Sequence, residues 1–198
     1  MKAAMLGIVL GLLSLFATGC ALRPQAAAAD QYAVRLEFAE GTCSGTIVGP
    51  HEILSATHCF AKTHFQSVDG IPAKLLRHVD DGNDHTVIWV DQHYLRHASL
   101  GPAPKATDRV HIFGNPGPFK DLYRDGAVYG TIVADNRVAT LYGINGWFGD
   151  SGSGIFDTDG RLVGVVSFVW CMSDGASWQA MGSFPLNFTA RQWAQVQS

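Results

Sequence analysis

From Tyr32 onward, the sequence is made of short apolar or alternating segments that are separated by turn-forming residues. The separating residues are rich in Gly, Pro, Asn and Asp, which favour tight turns for known stereochemical reasons. Few segments show a helical period. The pattern therefore predicts an all-β protein. The candidate strands cover residues 32–38, 44–48, 52–56, 86–90, 109–113, 127–133, 137–142, 162–168 and 178–184.

The C-terminus is the exception to this pattern. Asn187 is a favourable N-cap residue, and Phe188, Trp193 and Val196 have the spacing to share one face of a helix. A short C-terminal helix is therefore predicted.

The N-terminus has the layout of a signal peptide. Lys2 is followed by an uncharged apolar run from residue 3 to residue 19, which is shorter than the roughly 20 residues that span a bilayer. We predict that residues 1–19 are a signal peptide. The segment LFATGC, which ends at Cys20, resembles a bacterial lipobox, so Cys20 is the expected site of lipidation and membrane anchoring. The chain is then an exported lipoprotein of the cell envelope, in the periplasm or outer membrane; a second cut within residues 26–29 would instead release a secreted soluble protein.

Residues 20–30, rich in Ala with one Pro, are predicted to be a short tether, which leaves about 168 residues for a folded unit. The net charge is −3, and removal of Lys2 with the signal peptide takes it to −4. Weak acidity without a basic patch argues against a nucleic-acid partner. The segment 92–108 has the composition of a link between two halves.

The chain contains four cysteines, at positions 20, 43, 59 and 171. An exported protein can keep disulfides, and a bond between Cys43 and Cys59 would enclose a fifteen-residue loop, worth about 3 kcal/mol in the chain-entropy model. If Cys20 is lipidated, Cys171 is the odd thiol, and we expect it to be a buried small side chain.

The segment GWFGDSGSGIF, residues 146–156, places four glycines around Asp150 and Ser151. A serine hydroxyl needs a base to take its proton and preorganised donors for the oxyanion that forms. Gly149 and Gly152 allow the backbone to turn tightly at Ser151, so the N–H groups of Gly149 and Ser151 could form an oxyanion hole. By itself, the segment is equally compatible with a glycine-rich turn.

Two further segments favour a catalytic role for this glycine-rich segment. SATHC places His58 beside Cys59, and CSGTIV precedes it in the chain. Together with GDSGSG, these motifs resemble the chymotrypsin-like (trypsin-fold) serine proteases, in which a His, an Asp and a Ser form a triad in that chain order. The resemblance implies two six-stranded antiparallel β-barrels, formed by residues 31–100 and 101–198, the second with the C-terminal helix.

The triad Asp must lie between His58 and Ser151. Asp80, Asp81, Asp84 and Asp91 are the candidates. Asp84 stands directly ahead of the apolar segment 86–90, as the family's Asp does, and Asp91 is the alternative.

The resemblance implies a serine endopeptidase that hydrolyses peptide bonds of a protein or peptide substrate through an acyl-enzyme, with no cofactor or metal. It also implies that Asn145, Ser167, Phe168 and Val169 contact the substrate. In the family, an Asp at the position of Asn145 favours substrates with Arg or Lys at P1. Because this chain has Asn there, we expect small or medium apolar residues at P1. The digestive relatives pair the Asp before the catalytic Ser with a new N-terminal amine; Asp150 must find another partner here.

The sequence disfavours two other classes of function. The sequence around Ser151 is not G-x-S-x-G, which argues against an α/β-hydrolase. His93 and His97 are four apart, but no Cys/His cluster supports a metal site. The remaining alternative is a catalytically idle trypsin-fold binding module on the cell envelope. We expect a monomer in either case.

Overall fold

The computed structural model describes residues 29–61, 64–173 and 177–196. Two seven-stranded antiparallel sheets and one short C-terminal helix account for its architecture. The predicted signal peptide, Cys20 and most of the predicted tether lie outside the described residues.

The first sheet lies between residues 33 and 90 and has the strand order β5-β4-β1-β2-β3-β7-β6. The two edge strands are consecutive in the chain, with only two residues between them, so the sheet must roll into a barrel. The strands are β1 (Ala33–Phe38), β2 (Gly41–Ile47), β3 (Glu52–Ala56), β4 (Phe65–Val68), β5 (Ile71–Pro72), β6 (Leu75–Asp80) and β7 (His85–Val90).

The second sheet lies between residues 109 and 183 and has the order β12-β11-β8-β9-β10-β14-β13. Its edge strands are again consecutive and separated by two residues, which closes a second barrel. The strands are β8 (Arg109–Gly114), β9 (Leu122–Ala134), β10 (Arg137–Tyr142), β11 (Gly154–Asp157), β12 (Leu162–Val165), β13 (Phe168–Ser173) and β14 (Ser177–Ser183). The predicted all-β class is confirmed, with seven strands in each sheet where the resemblance implied six.

Strand β7 shows how the core holds the two barrels together. All six of its residues are buried, because its two faces meet different apolar clusters. Ile88 and Val90 lie in the core of the first barrel, whereas Val87 and Trp89 lie in a cluster shared with Phe113 and neighbours from the second barrel. The two barrels therefore pack against each other through a shared apolar cluster.

The C-terminal helix α1 (Ala190–Val196) covers this shared cluster. Val196 is buried, and the rings of Phe188 and Trp193 meet edge to face at 5.1 Å. The predicted N-cap was wrong: the Thr189 hydroxyl accepts the Gln192 N–H at 3.2 Å and Gln192 Oε1 accepts the Thr189 N–H, forming a capping box. In the part of the chain that the structure describes, no helix has the length and apolarity to cross a membrane.

Candidate active site

His58 and Asp84 are brought together by the pairing of β3 with β7. Ala56 at the end of β3 lies opposite His85, so the 3-10 turn Thr57–Phe60 faces the turn that precedes β7. His58 Nδ1 lies 2.9 Å from Asp84 Oδ2 and 3.0 Å from Oδ1, and the His58 backbone N–H donates to Oδ1 at 3.0 Å. The carboxylate thus fixes both the ring and the backbone of a half-exposed histidine.

Asp81 builds the turn that presents Asp84. Its carboxylate accepts the N–H groups of Asn83 at 2.7 Å and His85 at 3.2 Å, and its Oδ2 lies 2.7 Å from His85 Nδ1. Burial by itself raises the pKa of Asp81, but the hydrogen bond and charge of His85 and the backbone N–H groups outweigh it and lower the pKa. Asp84 then adopts a φ of 69°, a left-handed conformation that Asp tolerates better than most residues.

The other acidic candidates have different partners. Asp80 accepts the Thr57 hydroxyl at 3.3 Å, and Asp91 accepts the Lys74 backbone N–H at 2.8 Å. Of the four carboxylates, all of which the structure describes, only Asp84 bonds His58. The organising role of Asp81 was missed from the sequence, although an Asp followed by Gly, Asn and Asp is a turn signal.

A disulfide ties the histidine turn to strand β2. Cys43 and Cys59 are bonded, as the sequence predicted. The neighbouring Ser44 N–H donates to the Ser151 carbonyl at 2.8 Å, and Cys59 Sγ lies 3.9 Å from the same oxygen. These contacts place the Ser151 backbone beside Cys59, which follows His58 in the chain.

Ser151 is partly exposed. Within the described residues, no hydrogen bond joins the Ser151 hydroxyl to the His58 ring. Such bonds are often long in structures without substrate and tighten only in the complex.

The glycine-rich loop keeps two N–H groups available beside Ser151. The N–H groups of Asp150, Gly152 and Ser153 donate to backbone carbonyls at 2.8–3.1 Å. Those of Gly149 and Ser151 donate to no other group in the parts of the chain that are described. These are the two donors predicted to form an oxyanion hole.

Close packing explains the glycines. A Cβ on Gly149, where φ is 103°, would lie 2.6 Å from the Asn115 carbonyl oxygen. A Cβ on Gly152, where φ is 84°, would lie 2.2 Å from the Ser44 carbonyl oxygen. Neither position has room or a suitable backbone conformation for another residue.

The Asp150 carboxylate, whose side chain is only 1% exposed, finds its partner in Arg124 of β9. The two groups form a bidentate ion pair, and Asp150 Oδ2 also accepts the Trp147 N–H at 2.8 Å. Arg124 donates in addition to the Asn145 carbonyl at 2.8 Å. An internal cation therefore neutralises the Asp150 carboxylate.

A cleft of about 920 Å³ opens beside Ser151. Of the four predicted substrate contacts, Phe168 and Val169 line it, whereas Asn145 and Ser167 do not. Ser167 is buried, and its backbone N–H donates to the Gly182 carbonyl. Its hydroxyl oxygen lies 3.5 Å from His85 Nε2. The lining is Pro116, Gly117, Pro118, Phe119, Leu122, Gly146, Trp147, Phe148, Asp150, Ser151, Val166, Phe168, Val169, Cys171 and Gln179.

Cys171 departs from its prediction. It is an exposed free thiol among the residues that line the cleft. His93 and His97 lie in a segment without helix, so they do not share a helix face. Among the described residues, no group of three or more His, Cys, Asp or Glu side chains could hold a metal ion.

The sequence model of the trypsin-like peptidase domain matches residues 43–165, which include the disulfide, His58, Asp84 and Ser151. The chain belongs to the trypsin-like peptidase family. The family membership and the fold support serine peptidase activity on peptide or protein substrates, in agreement with the resemblance seen in the motifs. No curated protein matches the sequence.

Solved structures of other trypsin-like peptidases share the fold at low sequence identity. The active form of the Rv3671c protease from M. tuberculosis is 17% identical over 87% of this chain and 84% of that one, with a TM-score of 0.69. A Glu endopeptidase in complex with MPD is 19% identical over 83% and 89%, with a TM-score of 0.64. The HtrA-type protease AlgW with a tripeptide is 18% identical over 81% and 58%, with a TM-score of 0.66.

Proposed function

We propose that the protein is a serine endopeptidase that uses Ser151, His58 and Asp84. The observation that carries the proposal is the His58–Asp84 hydrogen-bonded pair, beside a serine loop in which the N–H groups of Gly149 and Ser151 stay available. This arrangement supplies a base, a group that orients the base, and two donors for a developing oxyanion.

The chemistry follows from these positions. Ser151 Oγ forms a bond to the substrate carbonyl carbon while its proton moves to His58 Nε2, and Asp84 at Nδ1 stabilises the imidazolium. The C–N bond then breaks as His58 returns the proton to the leaving amine. Water, deprotonated by His58, hydrolyses the acyl-enzyme and restores the Ser151 hydroxyl.

The cleft favours an apolar P1 residue of small or medium size. A Cβ on Gly146 would lie 2.5 Å from Val169 Cγ2 and 3.3 Å from Met181 Cε, so these side chains pack directly against the Gly146 backbone. This contact narrows the cleft beside Gly146 and Val169, and we call this narrow part the apolar slot. Asp150, the acidic residue among those that line the cleft, is already paired with Arg124 and offers little to a basic side chain.

Labelling with a fluorophosphonate tests the catalytic proposal. We expect stoichiometric labelling of the wild-type protein and none of Ser151→Ala. Ser153→Ala is the matched control, because Ser153 lies in the same loop and its buried hydroxyl has no hydrogen-bond partner among the described residues. An unlabelled wild-type protein would instead favour the idle binding module.

A peptide series that varies only P1 tests the specificity. We expect kcat/KM to be highest for Ala, Val and Leu and lowest for Arg, Lys and Glu. Cleavage confined to Arg and Lys would contradict the proposed apolar slot.

We also propose that the protein is exported and anchored as a monomeric envelope lipoprotein through Cys20. The basis is the apolar run that ends in LFATGC. Mass spectrometry of the mature N-terminus should show diacylated Cys20. A mature chain that begins after residues 26–29 would show release as a soluble protein.

A further inference from the structure

The buried hydroxyl of Ser44 lies behind the proposed oxyanion hole. Ser44 is 0% exposed, and its Oγ donates to the Gly149 carbonyl at 2.8 Å. Its backbone N–H donates to the Ser151 carbonyl at 2.8 Å. One residue of β2 therefore holds the carbonyl groups of both residues whose N–H groups would bind the oxyanion.

Asn115 fixes the direction of this hydroxyl. Asn115 is fully buried, and its backbone N–H and its Nδ2 both donate to Ser44 Oγ, at 3.0 and 3.1 Å. With two donors on the oxygen, the hydroxyl proton is directed to Gly149. The Asn115 amide is itself held, because Nδ2 also donates to the Val34 carbonyl at 3.2 Å and Oδ1 accepts the Asp121 N–H at 3.1 Å. A satisfied buried network of this kind is rigid.

The peptide groups on both sides of Gly149 are held in this way. The Phe148 carbonyl accepts the Gly117 N–H at 3.2 Å. In a trans peptide the N–H points opposite to the C=O, so this bond turns the Gly149 N–H away from Gly117. The Ser44 hydroxyl holds the next peptide. Without these bonds, rotation about Gly149 would cost little, because glycine has wide conformational freedom.

We propose that Ser44, oriented by Asn115, is a positioning residue that preorganises the oxyanion hole. The inference rests on the proposed peptidase function. Loss of a complete oxyanion donor costs about 10²–10³ in kcat, so loosening the donors by removal of the Ser44 hydroxyl should cost about tenfold. The loss should appear in kcat, with KM nearly unchanged, since the hole binds charge that develops only in the transition state.

The test compares Ser44→Ala with Ser183→Ala. Ser183 is the matched control, because it is also buried and its hydroxyl accepts the Val165 N–H and donates to the Phe184 carbonyl, inside the second barrel. We expect kcat to fall about tenfold in Ser44→Ala and to change less than about twofold in Ser183→Ala. The inhibition constant of a peptide aldehyde, whose adduct places an oxyanion in the hole, should rise in Ser44→Ala in proportion to the loss of kcat/KM.

Rates are counted per active molecule by the end point of fluorophosphonate labelling, so partial unfolding does not mimic the effect. If Ser44→Ala does not fold, Asn115→Ala removes one of the two donors to the hydroxyl and should lower kcat about threefold to tenfold. An active wild type with an unchanged kcat and unchanged aldehyde inhibition in the folded variant would overturn this inference alone. A wild-type protein that neither labels nor cleaves would overturn the peptidase function, and this inference with it.

Discussion

At the residue scale, two carboxylates three positions apart have different tasks. Asp81 is buried, and its carboxylate oxygens bond the backbone N–H and Nδ1 of His85 and the backbone N–H of Asn187. Asp84 is partly exposed and directs its oxygens to His58. The difference arises from their places in one turn, since residue type is the same.

Substitution of Asp84 tests the orientation of the histidine. In Asp84→Asn, the amide can donate to Nδ1 and favour the wrong tautomer, so kcat should fall by about 10³–10⁴ while the fold persists. Steady-state peptide cleavage and circular dichroism measure the two effects. Asp91→Asn is the control and should keep wild-type rates. Equal losses in both variants would show that Asp84 has no special role.

Substitution of Val169 tests the narrow slot. Val169→Gly removes the methyl groups that pack against the Gly146 backbone, so a larger side chain should fit. We expect the ratio of kcat/KM for Phe over Ala at P1 to rise by at least about tenfold, since pocket contacts of this size are worth about 1–3 kcal/mol, or about 10- to 200-fold. Ile71→Gly, at an exposed position of β5, should leave the ratio unchanged. A constant ratio in Val169→Gly would place P1 elsewhere.

At the element scale, the serine loop depends on β9 of the second barrel. Arg124 reaches from this strand to the Asp150 carboxylate and to the Asn145 carbonyl, so both ends of the segment 145–150 are held by one side chain. The ring of Trp147 lies 5.0 Å from the guanidinium carbon. The loop conformation is therefore a property of the barrel that carries it.

Removal of this cation should loosen the loop. Arg124→Met leaves the Asp150 carboxylate buried without a charged partner, and breaking such a pair costs about 3–5 kcal/mol. Urea unfolding should show that loss, and kcat should fall as well. The double variant Arg124→Met/Asp150→Asn removes the stranded charge and should recover part of the stability. A single variant as stable as the wild type would contradict this account of the pair.

Strand β8 carries a buried histidine that should make stability depend on pH. His111 is 5% exposed, its ring stacks on Phe156, and its Nε2 has no hydrogen-bond partner among the described residues. Burial lowers the pKa of His111, against the opposite effects of Asp157 and Asp125. The unfolded chain, with a histidine pKa of about 6.5, therefore binds more protons than the folded chain.

This contribution to the free energy of unfolding should be complete above about pH 6.5 and should be lost as the pH falls below that value. Urea unfolding between pH 7.5 and 5 measures it. His111→Phe keeps an aromatic ring and should flatten the dependence in this window, whereas substitution of the exposed His97 by Gln should not. Identical pH slopes in the wild type and His111→Phe would contradict the prediction.

At the scale of the whole molecule, Asp81 also joins the first barrel to the C-terminal segment. Its Oδ2 accepts the Asn187 N–H at 2.9 Å, and Asn187 Nδ2 donates to the Asp81 carbonyl at 3.3 Å. The first barrel is thereby bonded to the segment that leads into α1. The same helix covers the apolar cluster between the barrels.

Asp81→Ala should weaken this connection. It removes several buried hydrogen bonds to a charged group, and we expect the free energy of unfolding to fall by about 3 kcal/mol. Asp159→Ala, at a side chain that is 65% exposed, is the control and should change it little. Chemical denaturation of both variants measures the difference. Equal stabilities would show that the Asp81 network contributes nothing net.

The strands that the sequence predicted well include β3 and β10, which are short segments with apolar residues and whose bounds match the prediction. The predicted segment 162–168 is divided by Val166 and Ser167 into β12 and the start of β13. Strand β6 was missed because its residues are mostly exposed, so its sequence shows no apolar pattern. It is a strand because it pairs with β7. Strand β11 was missed because it is short and follows the glycine cluster directly.

The sequence by itself determined the all-β class, the family, the disulfide, and His58, Asp84 and Ser151 as the candidates for catalysis, because short motifs and alternation are local properties. Only the tertiary structure decided which other side chains support the candidate catalytic residues and the serine loop. Ser44 and Asn115 are 71 residues apart, and Arg124 and Asp150 are 26 apart. Hydrogen bonds and ion pairs across such separations depend on how two closed sheets pack, and no local pattern in the chain encodes them.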